Sequence, residues 1–205
     1  MFIDTKELVS KIESLLAENE PEIRKEAVQK LIELSHADEK AKVVEFANKL
    51  AADQDILIRK EIALHIPDLH DPSLISLTEK LCIDKSPLVR QAVAYSLSNF
   101  GMLVDKKKII SLALQLCNDL DNSVRRGIAY SLPLIGGSEA FELLERLSKD
   151  EHTPIRQAVA YSLVGFIGSK EHSKAIELAN KLSTDSDLYV CQTAKDSLKI
   201  LQKKR

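Results

Sequence analysis

Residues 138–168 read SEAFELLERLSKDEHTPIRQAVAYSLVGFIG, and this stretch decides the fold because it holds two helices and little else. Phe141, Leu144 and Leu147 recur at the three-residue spacing of one helix face, behind Ser138 and Glu139, residue types that suit a helix start. A short turn over residues 150–153 follows. Pro154 then falls in a first helical turn, where its missing N–H leaves no bond unmade. Ile155, Val159, Leu163 and Phe166 make one apolar face of the second helix, which stops near Gly168.

Working outward, the same unit recurs along the whole chain. Arg24, Arg59, Arg90, Arg125, Arg156 and finally Cys191 stand alternately 35 and 31 residues apart. Six residues before each lies an acid: Glu18, Asp53, Asp84, Asp119, Asp150 and Asp185. Directly before each lies an aliphatic: Ile23, Ile58, Val89, Val124, Ile155 and Val190. A period of this length predicts a solenoid, in which each unit buries its apolar face against its neighbours. Approximate repeats are 4–36, 37–70, 71–102, 103–136, 137–168 and 169–205, giving about twelve helices, no strand and one domain over 1–205.

Alternate units resemble each other most. QAVAYSL occurs at 91–97 and again at 157–163, and the intervening type carries Pro67 or Pro133 eight residues after its arginine. A proline there removes a helical hydrogen bond, so those two second helices are expected to bend. The end units are more polar: Lys30 and Glu33 in the first, Cys191, Lys195 and Asp196 in the last. Solvent-compatible ends are what a complete array needs.

Composition narrows the function. Lys and Arg total 29 against 31 Asp and Glu, Trp is absent and aromatics are 4%. That balance argues against a nucleic-acid binder, which needs cations for phosphates and rings for bases. No apolar run is long enough to cross a membrane, and the start MFIDTKELVSK has no secretory apolar core. Cys82, Cys117 and Cys191 are odd in number, which fits reduced thiols in a cytoplasmic, monomeric protein. The five histidines form no metalloprotease motif, no Cys-x-x-Cys occurs, and Gly136-Gly137 only ends a helix. No metal, cofactor or catalytic residue is predicted.

An acid followed six residues later by the arginine of V/I-R-x-x-A/V-A, inside a two-helix unit, resembles the HEAT repeat. The shorter units are similar to the HEAT-like repeats of prokaryotic proteins and phycobilin lyases. The resemblance implies an all-α, right-handed, armadillo-like α-solenoid (an α-α superhelix) of about six hairpins, with first helices on the convex side and second helices lining the concave side. It covers essentially the whole chain but serves many activities.

Two sets of residues then stand out. Asp53, Arg59, Asp84, Arg90, Asp119, Arg125, Asp150 and Arg156 read as a structural ladder, because a catalytic site would not be copied into every unit. Five residues after the arginine come Tyr95, Tyr130 and Tyr161 in three consecutive units, with Gln91, Arg126 and Gln157 one turn earlier on the same face. Tyr and Arg concentrate binding energy at interfaces, and the small Ala92, Gly127 and Ala158 beside them are expected to let a partner approach. The alternative is that the tyrosines are spacers packing helix on helix. The leading function is a non-enzymatic scaffold or adaptor binding a protein partner along its concave face. The alternatives are a bilin lyase-like or chaperone-like accessory protein, and a HEAT-like DNA-binding or DNA-repair protein.

Overall fold

The computed structural model describes residues 5–101 and 103–203; the sequence-derived repeat limits at 4, 102 and 205 lie outside them. Twelve α-helices and no strand occur among the described residues. They fall into two compact units, Met1–Asp105 and Lys106–Arg205. The first unit holds α1 (Thr5–Leu16), α2 (Pro21–Ser35), α3 (Lys40–Ala51), α4 (Ile56–His65), α5 (Ile75–Leu81) and α6 (Pro87–Ser96). The second holds α7 (Lys106–Cys117), α8 (Asn122–Ile135), α9 (Gly137–Leu147), α10 (Thr153–Ser162), α11 (His172–Leu182) and α12 (Leu188–Leu201).

Within each unit consecutive helices pair as hairpins and the second helices pack on one another. In the first unit α2 meets α4 and α4 meets α6; in the second α8 meets α10 and α10 meets α12. The buried stripe runs through Ile58, Ile62, Val89 and Val93 in one unit and Val124, Ile128, Ile155 and Val159 in the other. This is the helical spacing of a face that has no stability in water until a neighbour covers it.

Helix starts carry the two-unit alternation. Asp55, Asp121 and Asp187 cap α4, α8 and α12 by accepting the N–H of Leu57, Ser123 and Tyr189 at 2.8, 2.8 and 2.9 Å. Glu20, Ser86 and His152 hold the same place before α2, α6 and α10 without a side-chain cap, and there proline occupies the first turn. One type satisfies an orphan N–H with a carboxylate; the other deletes a donor with Pro21, Pro87 or Pro154.

Pro67 and Pro133 do not act alike on where their helices end. The α8 helix runs through Pro133 to Ile135, whereas α6 and α10, which carry no proline at that place, tighten into 3-10 segments at Leu97–Phe100 and Leu163–Phe166. The α4 helix does the same at Ile66–Leu69, Pro67 included. Burial explains the tightening better than proline. In 3-10 geometry residues three apart eclipse, which puts Leu97 with Phe100, Leu163 with Phe166 and Ile66 with Leu69, all buried. In α8 the fourth such residue, Ile135, is only half-buried. Pro133 instead makes a close approach: a Cβ on Gly165 would lie 2.5 Å from the Pro133 Cβ.

Pro67 has a different consequence. Lacking an N–H, it leaves the Ala63 carbonyl without its helical donor. The Ser96 hydroxyl donates to that carbonyl at 2.8 Å, tying α6 to α4. Ser197 makes the same bond to Ala160 at 2.8 Å. Ser162 holds the equivalent place in α10, yet its buried hydroxyl has no hydrogen-bond partner among the described residues. Ser96→Ala is therefore expected to cost about 1–3 kcal/mol, by orphaning a buried carbonyl, while Ser162→Ala is neutral or stabilising. Urea midpoints of the two variants check this, and equal losses would contradict it.

Candidate functional site: ladder and tyrosine face

Four arginines bridge successive repeats with the same geometry. Arg24, Arg59, Arg125 and Arg156 each donate from Nε to the following repeat's aspartate, Asp53, Asp84, Asp150 and Asp185, at 2.8, 2.7, 2.7 and 2.9 Å. Nη2 reaches the other oxygen of the same carboxylate at 2.9–3.1 Å. Nη1 turns back to the arginine's own repeat and donates to the main-chain carbonyls of Glu18, Asp53, Asp119 and Asp150 at 2.8–2.9 Å. The guanidinium thus binds the carbonyl, not the carboxylate, of its own acid residue. Arg90 makes the matching bond to the Asp84 carbonyl at 2.7 Å.

Each carboxylate is also held from its own turn: Asp53, Asp84, Asp150 and Asp185 accept the N–H of Asp55, Ser86, His152 and Asp187 at 2.8–2.9 Å. Helix capping therefore falls to residues such as Asp55, two positions beyond the ladder's acid. Burial pushes the Asp53, Asp84 and Asp150 carboxyls up, but the partner guanidinium and the turn N–H outweigh it and hold them below the ordinary range. For Asp185 the Arg156 bond is the leading cause and the direction is the same. Cys191, in the arginine's place, donates its thiol to the Ser183 carbonyl at 2.8 Å. Cys82 and Cys117 are buried, and burial pushes the Cys117 thiol up to about 12.

The tyrosines lie outside the buried stripe. Tyr130 is 39% and Tyr161 62% exposed, and their rings meet edge to face with centroids 6.0 Å apart. Leu134, one turn beyond Tyr130 on α8, is 75% exposed and extends the same face. Sequence reasoning missed it, although its place four residues after Tyr130 was the available signal. On α10, Gln157 donates to Thr193 on α12 at 3.3 Å, while Arg126 on α8 is exposed. Tyr95, in the first unit, is 40% exposed on α6, and Gln91 on the same helix is half-buried. Ala92, Gly127 and Ala158 depart from expectation. All three are buried, so their small size serves close helix packing and offers no surface to a partner.

A group whose folded pKa is depressed stabilises the fold above its unfolded value and loses that contribution as pH falls through the folded value. The ladder's stabilisation should be complete above the aspartate reference of about 3.9 and fade below it. Asp150→Asn is expected to flatten that acid limb in pH-dependent urea unfolding; an unchanged acid slope would contradict the assignment. At neutral pH, Arg125→Ala should cost about 2 kcal/mol, read as a Tm lower by about 4–8 °C, and an unaltered Tm would count against the ladder.

Residues 110–199 match the family model described as HEAT repeats. No curated protein matches the chain in sequence. Among solved structures, a designed armadillo repeat protein in complex with the peptide (KR)4 is 16% identical at a TM-score of 0.55, covering 98% of this chain and 100% of that one. The Escherichia coli protein YibA is 16% identical at 0.61, covering 95% and 82%. Cex1p is 14% identical at 0.64, covering 96% of this chain but 43% of that one. At these identities the likeness concerns fold alone, and it agrees with the hairpins described above. The chain is an all-α solenoid of helical hairpins whose residues 110–199 match the HEAT-repeat family model.

Proposed function

We propose that the protein is a non-enzymatic interaction module, cytoplasmic and monomeric, whose second-helix face takes up a protein partner. The observation that supports this is the contiguous exposed patch of Tyr130, Tyr161 and Leu134, two of them in ring contact, above a stripe that is otherwise closed. Exposed rings that already pack on each other lose little side-chain freedom when a partner covers them, which favours them as anchors. Gln157 and Arg126 supply hydrogen bonds in this reading, and Tyr95 with Gln91 does the same in the first unit. We read residues 1–205 as one array, because the spacing from Asp84 and Arg90 to Asp119 and Arg125 continues the period found elsewhere. The net charge of -2 weighs against the DNA-binding alternative.

Wild type and a Tyr130→Ala/Tyr161→Ala variant, immobilised in parallel and exposed to extract of the source cells, test this. The expected result is a protein held by wild type and lost at least about tenfold from the variant, a change of about 1.4 kcal/mol, with helical circular dichroism retained. Equal recovery of every bound protein would remove the tyrosine face from the account.

A further inference from the structure

The same face carries a charge that no other described residue engages. In the second unit Arg125 and Arg156 are held by aspartates and Arg146 by Asn118. Arg126 is exposed and has no ion-pair or hydrogen-bond partner among the described residues. The acid at the tyrosine register, Asp196 on α12, is already bound by Lys199 at 2.8 Å and by Gln192 at 3.0 Å. Among the described residues, α8 therefore presents an unpaired cation beside apolar surface.

The order of residues along α8 gives the pattern of a ligand. Arg126, Tyr130 and Leu134 follow at intervals of four, a rise of about 6 Å per step in a helix. Alternate residues of an extended peptide lie about 6.6–6.8 Å apart on one side. Resting on the tyrosine-face reading, we infer that the partner is an extended segment of the form acidic–x–apolar–x–apolar. Its carboxylate forms a forked pair with Arg126, and its first apolar side chain lies on the Tyr130–Tyr161 pair. The second covers Leu134. Guanidinium suits this role because its fork matches a carboxylate in two bonds and its plane also stacks on rings. The polarity is opposite to that of the basic (KR)4 peptide in the designed armadillo complex.

Fluorescence anisotropy with two labelled peptides tests the inference, one with the core Glu-Ser-Leu-Ser-Leu and one with Lys in place of its Glu. The full chain should bind the acidic peptide at least about tenfold more tightly, a difference of about 1.4 kcal/mol, and Arg126→Gln should erase the preference. Tyr130→Ala should weaken both peptides. Equal affinities, or a preference that survives Arg126→Gln, would overturn the acidic partner and leave the tyrosine face standing. Affinities untouched by Tyr130→Ala would sink that face itself. Failure of both peptides to bind wild type would overturn the acidic–x–apolar–x–apolar pattern, the cell-extract comparison then judging the face alone.

Discussion

One carboxylate shared between two repeats is the constraint on which the rest depends. Asp150 accepts the Nε and Nη2 of Arg125 from the repeat before it and the N–H of His152 from its own turn. Its position is thus fixed by both hairpins at once, and Arg125 adds a bond to its own repeat through the Asp119 carbonyl. A guanidinium and a carboxylate removed from most of the water are costly alone and favourable only together. Each repeat therefore docks in one register. The apolar stripe supplies most of the stabilisation in a solenoid, but non-directional contacts do not choose among nearby registers.

Around that fixed joint the two repeat types solve the same backbone problem differently. A second helix begins either with an aspartate cap, as at Asp121, or with a proline in its first turn, as at Pro87. Three residues past the buried Leu97 or Leu163 the chain must bury a phenylalanine, and it tightens into 3-10 geometry to do so. The hydroxyls of Ser96 and Ser197 then take carbonyls of the preceding second helix. These devices sit between helices and leave the outer face of α8 and α10 free to vary.

The hairpins, their number and the arginine beat were legible in the sequence because helical period and repeat period are both one-dimensional signals. Less legible was anything that depends on where a neighbour lies. The residue six before each arginine reads equally as a cap or a salt-bridge partner; only the structure gives the pairing across repeats and passes the cap to Asp55, Asp121 and Asp187. Ala92, Gly127 and Ala158 looked like openings for a partner because small size does not say which side is covered. Pro133 does not end α8, and Gly165 accommodates its ring, a contact that sequence alone does not show. On the tyrosine face, Leu134 escaped notice because it follows a proline expected to bend the helix.

We read the copied joint as architectural and the variable face as the place for binding, and the coupling energy of the joint is the quantity to measure. Arg156 and Asp185 form the cleanest pair, since the guanidinium dominates the carboxyl's environment there. Urea unfolding of Arg156→Ala, Asp185→Ala and the double variant gives that energy directly. The account predicts a coupling of about 1–3 kcal/mol, the double variant losing much less than the sum of the single losses. Single losses that add to within about 0.5 kcal/mol would contradict it.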